Sequence, residues 1–147
     1  MTDGGIANIL HRETIAVLVG AKVFERGEAC FAEGRVLRVE AGRGELRGSV
    51  RPEMRGRPVY AVRIWMREEG LAYECTCPMG AQRQFCKHTV AIALAHLEKE
   101  RRAAEREFSL LRRRVMAVDP MVLVDRLLEH ARTDPGLTAI LTQLTEK

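Results

Sequence analysis

The stretch that decides the fold is Cys75-Thr-Cys77, followed after eight further residues by Cys86-Lys-His88. Three thiolates and one imidazole are the donors that a structural Zn²⁺ prefers in proteins. Four protein ligands also leave no coordination position open for a substrate water. The pattern therefore predicts one structural zinc ion per chain, bound by Cys75, Cys77, Cys86 and His88, and it favours an architectural role over a catalytic one.

The spacing of these residues predicts the elements that carry them. Side chains at i and i+2 share a face on a strand, so Cys75 and Cys77 are expected at a strand end. On a helix, positions i and i+2 point about 200° apart, so Cys86 is expected to precede a helix and His88 to lie in its first turn. The partial positive charge of that helix N-terminus, together with the flanking Arg83 and Lys87, would partly offset the net negative charge of a zinc ion bound by three thiolates.

Two other interpretations of the cysteines remain open. They could be small buried side chains without a ligand, or Cys75 and Cys77 could form a redox pair. A disulfide framework is disfavoured, because no secretory signal is visible and the apolar run over Ile15–Val23 is interrupted by Gly20 and Lys22. We therefore expect a cytoplasmic protein in a reducing compartment, with no membrane association.

The arrangement Cys-x-Cys, a variable loop and Cys-x-His resembles the SWIM zinc finger, and the chain is similar to the small stand-alone bacterial members of that family. The family also occurs in chromatin-remodelling ATPases, transposases and ubiquitin ligases, but we expect no such appended activity in a chain of this length. The resemblance implies zinc binding at the four Cys and His positions and a DNA-binding or protein-interaction role. Beyond the ligands, the segments that match less specifically are Phe24-Glu-Arg-Gly27, Gly34-Arg-Val36, Val59-Tyr-Ala-Val-Arg-Ile64 and the tail from Asp119 to Leu137.

Periodicity and turn signals predict an α+β fold, in which a zinc site joins one strand end of a small antiparallel sheet to a long helix and a C-terminal helical hairpin follows. An N-terminal helix is expected from Glu13 to about Val23, after which Gly27 and Gly34 interrupt the pattern. The long helix is expected over 87–107, with a charged second half in solvent. The predicted strands, of which the last two form a hairpin ending at the metal, are Val36–Val39, Glu45–Val50, Pro58–Arg67 and Leu71–Cys77.

The tail contains two helix starts, because Asp119-Pro120 and Asp134-Pro135 each place a capping side chain before a proline. We expect a zinc-binding domain over 1–107 and a helical segment over 108–147. Each tail helix has an apolar stripe, so the two can pack together, and a partner-docking or dimerising surface is the alternative. The stripes are Val124, Leu127, Leu128 and Ala131 in the first helix and Leu137, Ile140, Leu141 and Leu144 in the second.

Positive charge is concentrated in the predicted sheet. The whole chain carries +4, whereas residues 35–67 hold nine arginines and three glutamates, a local charge of +6. Arginine binds phosphate through two hydrogen bonds and stacks on bases, and strand alternation puts Trp65 on one face between Arg63 and Arg67. We therefore predict that DNA or RNA contacts this face through Arg63, Trp65, Arg67 and Arg47. Alternatively, Trp65 packs under the N-terminal helix and the arginines are ordinary edge charges.

Two functional classes follow from these patterns. The first is a non-catalytic zinc-binding module that binds nucleic acid, with DNA as the favoured ligand. The second is an adaptor whose helical tail docks on a larger protein, such as a helicase-like ATPase. An enzyme with a small-molecule substrate is disfavoured, because no motif orients a nucleophile. Cys30 and His96 are not needed as ligands, and Cys30 is expected to be a buried thiol.

Overall fold

A computed structural model describes residues 10–82 and 84–146. These residues form a mixed α+β fold with one four-stranded antiparallel sheet and six helices, which confirms the predicted fold class. The chain divides into two compact units, Met1–Arg102 and Ala103–Lys147. Among the described helices, none combines the length and the apolar character that crossing a bilayer requires.

The first unit begins with two helices, α1 (Arg12–Val19) and α2 (Ala21–Ala32). The prediction of one helix ending near Val23 is therefore wrong. Gly20 separates the two helices, since its φ of 78° lies in the left-handed region that glycine adopts without a steric penalty. The helices contribute three buried apolar side chains to the core: Ile15, Phe24 and Cys30.

The sheet is a meander in which each strand is antiparallel to the next. In chain order and in spatial order its strands are β1 (Val36–Gly42), β2 (Glu45–Val50), β3 (Tyr60–Arg67) and β4 (Gly70–Cys75). Arg43 and Gly44 both have positive φ in the turn between β1 and β2, the backbone that suits the twist of a tight hairpin. Two-residue turns join β1 to β2 and β3 to β4, as the sequence predicts, whereas the longer connection over residues 51–59 joins β2 to β3.

The strand ends differ from the prediction. β1 continues to Gly42, and β3 begins at Tyr60 because Pro58 has no N–H to donate to a neighbouring strand. β4 ends at Cys75, so the expectation that Cys77 belongs to the same strand end is wrong. The two cysteines are held by different local structures, which are described below.

The long helix α4 (Lys87–Met116) packs its first half on the inner face of the sheet. Ile92 is fully buried and contacts β2 at Gly48, where an added Cβ would lie 2.8 Å from the carbonyl oxygen of Arg38 and would overlap the Ile92 side chain. The helix continues beyond residue 107, its predicted end, and every residue over 99–116 is exposed. α4 therefore changes from a buried helix to a solvated one along its own length.

Gly27 lies inside α2 and does not interrupt it, contrary to the prediction. An added Cβ at this position would overlap the side chain of Val90 on α4 and would lie 3.2 Å from the carbonyl oxygen of Lys87. Glycine costs a helix about 1 kcal/mol relative to alanine, but here it allows α2 and α4 to approach closely. The requirement for glycine at position 27 therefore comes from packing between two segments that are distant in the sequence.

The second unit contains the predicted pair of tail helices, α5 (Pro120–Ala131) and α6 (Pro135–Thr145). The carboxylates of Asp119 and Asp134 accept hydrogen bonds from the first backbone N–H groups of their helices, as the sequence predicts. α5 and α6 contact each other. Only part of each predicted stripe is half-buried: Leu127, Ala131, Leu137 and Leu141.

Candidate metal centre and the outer face of the sheet

Cys75 and Cys77 lie on either side of a residue that remains tied to β3. The N–H of Thr76 donates to the carbonyl of Ala61 at 3.0 Å, and its hydroxyl oxygen accepts from the N–H of Ala61 at 2.9 Å. The chain therefore leaves β4 in a fixed direction at Cys75. Cys77 then caps the short helix α3 (Pro78–Ala81), with Pro78 in the first turn.

Gly80 completes this turn and was not identified from the sequence. Its N–H donates to Cys77 Sγ at 3.2 Å, which fixes the orientation of that side chain. An added Cβ would lie 2.7 Å from the Cβ of Cys75 and would overlap the Cys75 carbonyl. The spacing Cys77-Pro-Met-Gly80, a cap followed by a proline and a glycine, is the signal that could have identified it.

Cys86 and His88 come from the start of α4, as the spacing predicts. The carbonyl of Cys86 accepts the N–H groups of Thr89 at 3.1 Å and Val90 at 3.2 Å, so Cys86 directly precedes the helix. His88 lies in the first turn, with its ring centroid 4.7 Å from that of Tyr60 on β3. The helix start is thereby fixed against the sheet beside the two other cysteines.

The four predicted ligands converge on one point. Their donor atoms all lie within 4.8 Å of one another, and all four residues are buried. His88 Nδ1 is 3.9 Å from Cys75 Sγ and 3.8 Å from Cys86 Sγ. Donors on a tetrahedral zinc ion at Zn–S and Zn–N distances of about 2.3 and 2.1 Å would be about 3.6 to 3.8 Å apart. The cluster can therefore hold one metal ion with little rearrangement.

The protonation of the thiols is uneven within the cluster. A hydrogen bond from Cys75 lowers the pKa of the Cys86 thiol, while the same contact and burial raise the pKa of the Cys75 thiol. The hydroxyl of Thr89, 3.3 Å from Cys86 Sγ, also favours the Cys86 thiolate. A cation entering the cluster would meet one ligand that is already ionised and would displace the proton that the pair shares.

The remaining cysteine lies outside this cluster. Cys30 is buried in α2, and burial raises the pKa of its thiol, which agrees with the interpretation of an inert core side chain. His96 is also buried, further along α4, and burial lowers its pKa. Of the two side chains expected to offset the thiolate charge, Lys87 forms an ion pair with Glu53, and Arg83 lies outside the described residues.

The predicted nucleic-acid contacts lie together on the outer face of the sheet, the face opposite α4. Alternation along β3 buries Val62 and Ile64 and leaves Arg63, Trp65 and Arg67 on this outer face. Arg47 on β2 pairs directly with Arg63 across the strands. Trp65 is half-buried but is not among the described side chains packed on the core, so the alternative that it lies under the N-terminal helix is wrong.

The arginines of this face are more neutralised than their number suggests. Glu45 forms ion pairs with both Arg47 and Arg63, the latter at 2.6 Å, and these hydrogen bonds lower the pKa of the Glu45 carboxyl. Arg63 also lies over the Trp65 ring, with Cζ 4.7 Å from the centroid, and Arg67 lies at 5.4 Å. Of these three arginines, Arg67 alone has no carboxylate partner among the described residues.

An open groove lies between the outer face and the turn that carries Cys75 and Cys77. It has a volume of about 750 Å³. It is lined by Arg63, Trp65 and Arg67 of β3, by Glu74 of β4, and by a wall that includes Thr76 and Gly80 of the turn that holds the cysteines. The position of this wall depends on the same backbone that presents Cys75 and Cys77.

Comparison with protein-family models, with curated proteins and with solved structures finds no significant match for this chain.

We expect purified protein to contain about one equivalent of zinc and Cys77→Ser to lose most of it, since a serine hydroxyl is a much weaker zinc ligand than a thiolate. The variant should also unfold at a lower temperature, because metal binding contributes to folding free energy. Metal analysis and thermal unfolding measure the two effects. Cys30→Ala, which removes a buried thiol outside the cluster, should retain the metal. A metal-free wild type whose melting is unchanged by added zinc would refute the site.

We also expect Gly80→Ala to weaken zinc binding about tenfold or more, the usual effect of disturbing groups that orient metal ligands. The added methyl group collides with the backbone of Cys75, so α3 must move and the N–H of residue 80 leaves Cys77 Sγ. Competition with a chromophoric chelator measures the affinity. Gly42→Ala is the matched control, because its added Cβ has no atom within 4 Å. Equal affinities for the two variants would contradict this role of Gly80.

Proposed function

We propose that this chain is a non-catalytic SWIM-type zinc module that binds single-stranded nucleic acid along the groove beside Trp65. The observation that carries the proposal is the position of Trp65, half-buried at the groove with a guanidinium group on either side of it along β3. Proteins that bind single strands combine aromatic stacking with positive charge along the backbone path. The aromatic ring and the positive charges lie here on one strand, β3.

Zinc is the metal that the donor set favours. Three thiolates and an imidazole whose donor atoms lie within 4.8 Å of one another suit Zn²⁺ better than Mg²⁺ or Ca²⁺, which prefer oxygen ligands. Cys75, Cys77, Cys86 and His88 would hold the ion, and burial of all four leaves no side open to a substrate. The zinc would fix the turn at 76–81 against the start of α4 and so hold one wall of the groove in place.

Stacking of a base on Trp65 requires that one arginine leave the ring. An exposed cation–π contact stabilises by about 0.5 to 1 kcal/mol, whereas stacking of a base on an aromatic side chain contributes about 1 to 3 kcal/mol. The exchange is therefore favourable, and the released guanidinium becomes available to a phosphate. Arg67 is the better candidate for this contact, because Arg63 remains paired with Glu45.

We expect Trp65→Ala to weaken binding of a fluorescent single-stranded oligothymidine about tenfold or more, since a base loses its stacking surface. Arg67→Ala should flatten the dependence of log K on log salt by about 0.7, the contribution of one phosphate contact on a single strand. Fluorescence anisotropy at several salt concentrations measures both effects.

The matched control for these variants is Arg113→Ala, which removes the same charge from the exposed part of α4. It should leave both the affinity and the salt slope close to the wild-type values. Zinc content should be unchanged in every variant. Absence of binding at low salt by wild-type, zinc-loaded protein would overturn the nucleic-acid proposal and leave the metal centre intact.

A second candidate function is that of an adaptor for a larger protein, such as the helicase-like ATPase that the family resemblance suggests. It is favoured by the apolar side chains that α5 and α6 leave exposed: Val124, Leu128, Ile140 and Leu144. Leu128→Asp combined with Ile140→Asp should abolish copurification of such an ATPase from the native host. Gln143→Asp, a change at another exposed position of α6, should not. Recovery of the ATPase by the double variant would exclude this surface.

A further inference from the structure

The exposed part of α4 has an apolar stripe along one side. Phe108 is 67% exposed and Leu111 is 54% exposed, and Val115 and Ala104 are exposed as well. Neither α5 nor α6, which belong to the same compact unit, covers these side chains. A helix that leaves a phenylalanine and a leucine in water on one side presents a surface for another element.

The spacing of the stripe specifies what kind of element fits. Ala104, Phe108, Leu111 and Val115 are separated by four, three and four residues, the alternation of the a and d positions of a coiled coil. Such a seam is narrow and suits a second helix that packs side by side with the first. Arg101 occupies the preceding seam position, so the apolar part begins at Ala104 and runs about 17 Å along the axis.

The charges beside the seam specify the partner and its direction. Glu105 and Glu107 flank the first half of the stripe, and Arg112 and Arg114 flank the second half. In an antiparallel pair of identical helices the first half of one faces the second half of the other. Glu107 of each copy then lies beside Arg114 of the second copy, and Glu105 beside Arg112. The helix dipoles also oppose each other in this arrangement, which is favourable.

We propose that two copies of this chain associate through antiparallel pairing of their α4 segments over 104–115. Phe108 of each copy packs against Leu111 of the second copy at the centre, and Ala104 packs against Val115 at both ends. Glu107 and Arg114 form no ion pair with other described residues, so both charges can serve the interface. The pairing is independent of nucleic-acid binding and goes beyond the proposed function.

Leu111→Asp tests the apolar seam in the full, zinc-loaded chain. We expect the wild type to change from monomer to dimer over a concentration series in sedimentation equilibrium, and the variant to remain monomeric throughout, because a carboxylate is buried at the centre of the pair. Leu110→Asp places the same group one residue away, off the seam, and should still dimerise. Residue 111 is exposed in the single chain, so circular dichroism and zinc content should not change. A monomeric wild type at every concentration would overturn the proposal.

Charge reversal tests the direction of pairing. Glu107→Arg and Arg114→Glu should each weaken dimerisation about tenfold, because two attractive pairs become two repulsive ones. Mixing the two variants should restore dimers, since the arginine introduced in one copy then meets the glutamate introduced in the other, and the native Glu107 and Arg114 meet at the second contact. Arg113→Glu, which points away from the seam, is the control and should have no effect. Rescue of Glu107→Arg by Arg112→Glu in place of Arg114→Glu would indicate parallel helices and would overturn the antiparallel arrangement.

Discussion

The junction between the end of β4 and the first turn of α4 is the constraint on which the rest of the first unit depends. The sheet and the helix share a core built mainly from aliphatic side chains, with Phe24 its one buried phenylalanine among the described residues. A bound structural zinc contributes about 10 kcal/mol or more to folding, comparable with the net stability of a whole domain, about 5 to 15 kcal/mol. Four buried donors at this junction can therefore account for much of the stability of the unit.

The outer face of the sheet shows why the number of arginines alone is a poor measure of how strongly a surface attracts nucleic acid. Residues 35–67 carry a large formal surplus of positive charge, yet one glutamate, Glu45, binds two of the four predicted contact residues. Exposed ion pairs of this kind stabilise a fold by at most about 1 kcal/mol, so they do little for stability. Their larger effect is to orient the guanidinium group of Arg63, which lies over the Trp65 ring.

The sequence was most informative wherever the determinant is local. The capping carboxylates Asp119 and Asp134 and the i, i+2 spacing before α4 were sufficient to predict helix starts and the placement of Cys86 and His88, because each depends on residues within a single turn. Positions controlled by distant contacts were missed. From the sequence alone Gly27 is expected to break a helix. In the structure it lies within α2, where only a glycine leaves room for the side chain of Val90.

The metal cluster also combines features that could be predicted from nearby residues with features that could not. Its four donors could be identified from residue type and spacing, but the local structure around two of them could not. Cys77 is a helix cap and not a strand residue, because a proline and Gly80 turn the chain immediately after it. The partial neutralisation of the outer face was not predicted either, since the pairing of Arg63 with Glu45 depends on the register of β2 and β3. Residues 108–116 of α4 are exposed because no other described element packs on them. The charge pattern of the sequence does not show where such packing ends.

The paired hydrogen bonds between Thr76 and Ala61 involve no metal ligand atom. They persist for as long as β3 and β4 remain paired, whatever occupies the centre. An ion that enters the cluster would thus meet one cysteine that is already aligned with the sheet, and metal uptake would not require β3 and β4 to separate.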